Sequence, residues 1–255
     1  MAQRFCPQCE AVLEIQSQPV VLGQCPNCGW TGGPDDFLSE FRPPMKPDET
    51  RWVPYVAVDL ETTGLDENFC QILEFGAVID DWHSPIGELP RFRRYIRPLD
   101  VIDGQPYIYG QPYALALNHE IIRKLASDDP AVDAESCTEE TLGAHFANWL
   151  QSHDIDPMKI TGAGKNFNSF DRQFLKKIHD FTEHIRFHHR AIDPAVFYWR
   201  PDIDNELPDT KTCLERAGLD GRVAHTAIED CVSVIQLIRR GVRKCQLSVS
   251  EKQST

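Results

Sequence analysis

The sequence predicts an α/β domain preceded by a small cysteine-rich ribbon, and three observations carry that prediction. Five short segments have strand character, beginning with the apolar run from Val56. Between and after them, apolar residues recur at helical spacing, most regularly over Leu142–Leu150 and Ile228–Ile238. Four of the nine cysteines stand in two CxxC pairs within the first 28 residues.

The 255 residues suffice for one large domain plus a small module. With 41% hydrophobic and 25% charged residues the chain is of ordinary globular composition, which excludes wholesale disorder. A formal net charge of −13 argues against broad electrostatic binding to long nucleic acid. It leaves room for a short strand held locally, because bound divalent ions reverse the field around them. The start, Met1 to Cys6, lacks the apolar core of a signal peptide, and no stretch is long enough to span a membrane. Odd-numbered, paired cysteines suit metal-bound thiolates in a reducing compartment, so a cytoplasmic location is expected.

Cys6, Cys9, Cys25 and Cys28 give C-x2-C-x15-C-x2-C, the spacing of four thiolates around one tetrahedral Zn²⁺. Ala11–Ile15 and Pro19–Gly23 read as ribbon strands, and Gly29 helps the chain turn back. A redox role for either CxxC is the alternative. Four closed ligands make the zinc structural. Arg4 is the only basic residue before Arg42, so charge gives the ribbon little hold on nucleic acid. Trp30 could stack a base or cover the ribbon's core, and a docking role for a protein partner is open. The ribbon is assigned to residues 1–33. A Pro-rich linker follows over 34–51, with Phe37, Leu38 and Phe41 spaced for a short helix. The main domain spans 52–244, and 245–255 reads as a polar tail.

In the main domain, Val56, Val58 and Leu60 share one face of a strand, so Asp59 and Glu61 share the other. Two acids aimed together from a buried strand repel each other and call for a hard cation between them. Ordinary solvated acids on a strand edge are the other reading. Gln71–Ile79 follows closely enough for an antiparallel hairpin. Arg91–Pro98 alternates charged and apolar residues, and its arginines either reach a phosphate backbone or form a solvated face. A long ordered loop is expected over 98–113, a short helix over Leu117–Leu125, and a core helix through Leu142, Phe146, Trp149 and Leu150 with Thr138 as its cap.

Lys159–Ala163 is a short strand leading to a helix capped by Asn168, which puts Asp171 in the first turn, where the helix dipole favours a carboxylate. Phe170, Phe174, Leu175 and Ile178 form its apolar face. Arg190–Asp193 reads as a strand, and Leu207–Gly218 as a capped helix with a Gly stop. Thr226-x-x-Glu229 is a capping box opening a helix with Ile228, Val232, Ile235 and Ile238 on one face. His225 then falls on the loop before that helix and Asp230 in its first turns. A mobile base and a rigid ligand suit a site that activates water.

Asp59-x-Glu61 within Val58–Leu65, Asp171 within Asn166–Leu175, and His225 to Asp230 together resemble the DEDDh 3′–5′ exonucleases, the group of proofreading exonucleases, oligoribonuclease and RNase T. The resemblance covers roughly residues 52 to 242 and implies an RNase H-like fold with a mixed five-stranded sheet flanked by helices. It implies that Asp59, Glu61, Asp171 and Asp230 hold two Mg²⁺ or Mn²⁺ ions, about 4 Å apart in such sites, and that His225 is the general base. The expected substrate is a single-stranded RNA or DNA 3′-end, cut to nucleoside 5′-monophosphates. By the same resemblance Thr62, Thr63, Gly64 and Leu65 touch the terminal nucleotide, His119 and Asn166 approach it, and Asp193 is structural. The second motif departs from proofreading enzymes, which favour Asn four before the Asp. Phe167 stands there, and Asn166 lies five before, closer to oligoribonuclease. That gives RNA or short oligonucleotides a slight edge. A DNA-trimming or proofreading subunit and a non-catalytic scaffold are the alternatives. The oligomeric state is not legible.

Overall fold

The computed structural model describes residues 53–103, 105–219 and 226–252, together with three short strands nearer the start. Those strands, β1 (Glu14–Gln16), β2 (Leu22–Gln24) and β3 (Thr31–Gly32), form an antiparallel sheet in the order β1-β2-β3. The ribbon expected there has a third strand that the sequence did not suggest. Cys6, Cys9, Cys25 and Cys28 and the linker 34–51 lie outside the described residues.

The acidic run forms β4 (Tyr55–Thr62), an inner strand of a five-stranded mixed sheet. Its antiparallel partner is β5 (Ile72–Asp80), which pairs in turn with antiparallel β6 (Arg91–Ile96). Beyond β6 comes a two-residue hairpin pair, β7 (Val101–Ile102) and β8 (Gln105–Pro106), inside the stretch expected to be loop. The sheet is completed by parallel edge strands β9 (Ser136–Cys137) beside β6 and β10 (Gly162–Ala163) beside β4.

The helix expected over Leu117–Leu125 is two, α1 (Pro112–Leu117) and α2 (His119–Leu125), broken at Asn118. Then come α3 (Pro130–Ala134) and α4 (Glu139–Ser152). Thr138 stands at the N-cap of α4, but its side chain makes no capping bond. The helix expected after Asn168 is also shorter: α5 covers Asp171–Leu175 and α6 His179–His184. Phe170, not Asn168, holds the cap position of α5; the Asn168 side chain instead accepts from Arg172 Nη1 at 3.0 Å. Neither outer strand reaches its expected length. Only two residues of Lys159–Ala163 join the ladder, and Arg190–Asp193 contributes one bridge, Ala163 to Ile192. Then α7 (Thr210–Ala217) is capped by the Asp209 carboxylate and closed by Gly218, as its sequence predicts. Finally α8 runs from Ala227 to Lys252, past residue 244 and through most of the stretch that reads as a tail.

Alternation on β4 and β5 divides the core into two layers. Val56, Val58, Leu60, Phe75 and Ala77 face α4 and α6 with Phe146, Leu150 and Phe181. Phe75 meets Phe146 edge-on at 4.9 Å between ring centroids. On the other face Tyr55, Ala57 and Val78 pack under Cys231, Val234, Ile235 and Ile238 of α8. Asp59 and Glu61 share that second face, so α8 covers the strand just where its acids emerge. Gly76, directly opposite Asp59, makes the close approach possible: a Cβ there would lie 2.6 Å from the Ala227 backbone.

Candidate active site

Four carboxylates from three elements meet at the C-terminal end of β4. Atoms of Asp59, Glu61 and Asp230 all lie within 4.8 Å of one another. Asp171, first residue of α5, reaches the same strand from its open edge. Parallel β10 ends at Ala163, so the ladder on that side stops before Leu60. The Leu60 N–H, between the two strand acids, instead donates to Asp171 Oδ1 at 3.1 Å. A truncated neighbour strand thus leaves a donor that the Asp171 carboxylate fills. Asp230 is placed by the capping box. The Glu229 N–H donates to Thr226 Oγ1 at 3.4 Å, the Thr226 hydroxyl donates to Glu229 Oε2 at 2.6 Å, and Asp230 follows in the first turn of α8.

The cluster is electrostatically unfavourable as it stands. Burial, then the charges of Asp171, Asp230, Glu61 and Glu74, hold the Asp59 carboxyl well above its usual range. Burial followed by Asp230 and Glu74 pushes Glu61 up to about 7, with a hydrogen bond from Asn118 pulling the other way. Asp171 also rises to about 7, chiefly through burial and against the pull of the Leu60 N–H. Acids that resist ionisation together are ones a cation would stabilise, and a set of carboxylate oxygens suits a hard divalent ion.

Two buried residues bear on this cluster without having been singled out in the sequence. Glu74 lies opposite Glu61 on β5 and accepts the Ala227 N–H at 3.1 Å, with Arg93 at 4.0 Å on its other side. Its only signal is that it interrupts an apolar strand. Asn118 is buried at the break between α1 and α2 and donates through Nδ2 to the Thr62 carbonyl at 2.9 Å. An Asn inside a helical pattern is the available hint.

The Thr62–Leu65 lip begins at a β-bulge, where Thr62 pairs with Ile72 and Leu73 is passed over. The Thr62 hydroxyl donates to the Gly64 carbonyl at 2.7 Å. Thr63 is fully buried. Its N–H donates to the Gln71 carbonyl, its hydroxyl oxygen accepts from the Gln71 N–H, and its carbonyl accepts from Gln111. It braces the lip from behind rather than forming its exposed surface. Gly64 is buried against Cys70 and Gln111, while Leu65 projects with 73% of its surface exposed. His119 is exposed at the start of α2, its ring beside Glu120 at 3.1 Å. Asn166 is exposed in a left-handed conformation (φ 59°) and lines a groove with Leu207 and Asp209. Its N–H donates to Asp193 Oδ2 at 3.0 Å, and Asp193 Oδ1 caps the turn after it by accepting from Ala195. Asp193 thus ties Asn166 to the start of the turn at Pro194. His225 lies outside the described residues, next to Thr226.

The crystal structure of cell-death related nuclease 4 superposes with a TM-score of 0.51 at 15% identity, over 76% of this chain and 65% of that one. The two chains share a fold. An E. coli exonuclease I–single-stranded DNA complex gives a TM-score of 0.48 at 20% identity, covering 79% of this chain and 42% of that one. In sequence, 49 residues are 49% identical to the PolC-type DNA polymerase III of Ureaplasma parvum serovar 3, which is 19% of this chain and 3% of the polymerase. No family model matches. The chain thus spans less than two thirds of each of these relatives. Among the described residues, no helix is long and apolar enough to cross a membrane.

Proposed function

We propose that the chain is a metal-dependent 3′–5′ exonuclease that releases nucleoside 5′-monophosphates from single-stranded nucleic acid. The observation that carries this reading is the meeting of Asp59, Glu61 and Asp230 within 4.8 Å, with Asp171 bound to the same strand. The shared fold with a nuclease supports it.

These four acids would hold two Mg²⁺ or Mn²⁺ ions. When bound, such ions lower the pKa of water and neutralise charge on the phosphate. The protein's own groups do the rest. β4 fixes Asp59 and Glu61 side by side, while α5 and α8 each present one acid from a first turn. His225 would accept the proton of the attacking water, since an ordinary imidazole, with a pKa of about 6.5, is mostly in its basic form near neutrality. Leu65, on a lip braced by Thr63, would press on the terminal nucleotide, with Thr62, Gly64, His119 and Asn166 around it. The acidic balance and the oligoribonuclease-like second motif favour RNA or short oligonucleotides. The identity to a DNA polymerase favours a second reading, a DNA-trimming activity partnered with a polymerase. In either reading, Cys6, Cys9, Cys25 and Cys28 would hold one structural zinc, and the ribbon would dock a partner.

With Mn²⁺, the protein should shorten a 5′-labelled single strand stepwise from its 3′-end, and Asp59→Ala should not. Internal cuts, or an equally active variant, would overturn the reading. Matched RNA and DNA strands in the same assay separate the two substrates.

A further inference from the structure

Beside the lip, three aromatic rings stand in a row at the surface. Phe69 lies 5.3 Å from Tyr109, and Tyr109 lies 5.7 Å from Tyr107, between ring centroids. Phe69 is 54% and Tyr107 45% exposed. Exposed rings in a contiguous group are unusual on a protein surface unless something covers them.

The row is fixed to the acidic strand through Gln71. The Gln71 backbone exchanges hydrogen bonds with Thr63, two residues beyond Glu61. Its side chain then holds the backbone of both tyrosines: Oε1 accepts the Tyr109 N–H at 3.0 Å and Nε2 donates to the Tyr107 carbonyl at 3.2 Å. Gly110 seals the join, because a Cβ there would come within 2.2 Å of the Thr63 carbonyl. The ring row and the lip are therefore parts of one braced ledge.

We propose that this ledge is a stacking platform for unpaired bases of the strand whose 3′-end occupies the acidic centre, upstream of the terminal nucleotide. The proposal rests on the exonuclease reading. Charge favours bases over backbone as the groups that meet the rings. The Tyr109 hydroxyl donates to Asp100 at 3.0 Å, and an acid at that position repels phosphate. Aromatic stacking tolerates any base and requires it to be unpaired, so the platform would select single strands without selecting sequence. Stacking also gives a protein of net charge −13 a hold on a polyanion that does not depend on positive charge.

The test measures binding of fluorescein-labelled dT12 by anisotropy, with the full chain in Ca²⁺. Hydrolysis of the p-nitrophenyl ester of thymidine 5′-monophosphate by the wild-type protein in Mn²⁺ reports separately on the acidic centre. Phe69→Leu/Tyr107→Leu keeps apolar bulk and removes the rings, and should weaken dT12 binding about ten-fold or more. Phe69→Tyr/Tyr107→Phe keeps the rings and should bind like wild type. Unchanged dT12 affinity in the leucine variant overturns the proposal. So does equal loss in both variants, or sedimentation showing that the leucine change instead breaks up a dimer. An inert ester with ring-dependent dT12 binding would overturn the exonuclease reading and keep the platform.

Discussion

Glu74 on β5 accepts the N–H of Ala227, the first residue of α8, in a buried hydrogen bond between residues 153 apart in sequence. The same helix is held further along by Arg239, whose guanidinium grips Asp80 on the same strand at 2.5 to 3.2 Å. Six strand residues cover about 20 Å at ~3.4 Å each. Twelve helical residues cover about 18 Å at ~1.5 Å each. Strand and helix are thus matched in length between the two fixings, and Asp230 rides on the segment so held.

Glu74→Ala should therefore loosen the helix start and lower Mn²⁺ affinity by about ten- to a hundred-fold, the usual effect of losing a residue that supports metal ligands. Glu74→Gln retains an oxygen to accept from Ala227 and should recover most of that affinity. Calorimetric Mn²⁺ titration checks both. An alanine variant that binds as tightly as wild type would show that Asp230 needs no such anchor.

Acidity sets the second expectation. Glu61 and Asp171 have pKa values of about 7 in the fold and ordinary carboxyl values in the unfolded chain. Between about pH 4 and 7 the folded state holds the extra protons. Their contribution to stability is thus complete below about pH 4 and is lost as pH rises through 7. The metal-free protein should melt roughly 5 °C lower at pH 8 than at pH 5.5, and Mn²⁺ should restore the loss at pH 8 with little effect at 5.5. Asp171→Asn can still accept from Leu60, so it should raise the metal-free Tm at pH 8, shrink the Mn²⁺ response and abolish hydrolysis. If its Tm falls with pH as steeply as that of wild type, other groups set the dependence.

Removing half of the buried ion pair should be costly. Arg239→Met strands Asp80, which has no exposed surface, and should cost about 3–5 kcal/mol in urea denaturation. Asp80→Asn/Arg239→Met removes both charges while retaining an acceptor for the Trp82 N–H, and should recover part of the loss. A single variant within about 1 kcal/mol of wild type would contradict this.

Much of the architecture was legible because it is written in local patterns. Period-two alternation placed Asp59 and Glu61 on one face, and the capping box opened α8 one residue before Ile228. Asp209 and Gly218 marked both ends of α7. Where the signal was a run of apolar residues without its partner, length was overestimated. Arg190–Asp193 and Lys159–Ala163 have strand composition, yet pairing at the sheet edge sustains only a bridge and two residues. Asn168 has the chemistry of a cap, but its side chain is drawn to Arg172 and the chain turns into the helix later.

By itself, then, the sequence determined the α/β class, the acids and the strand and helix starts that carry them, since each depends on neighbours a few residues away. The tertiary structure decided what those acids meet. Leu60 offers Asp171 a donor only because β10 stops short, and Glu74 faces Glu61 only through strand register. Asn118 reaches Thr62 only because a helix breaks beside the lip. Thr63 becomes a brace, and Phe69, Tyr107 and Tyr109 a row, because Gln71 ties distant segments together. Such contacts join residues up to 111 positions apart, a separation across which local propensity carries no information.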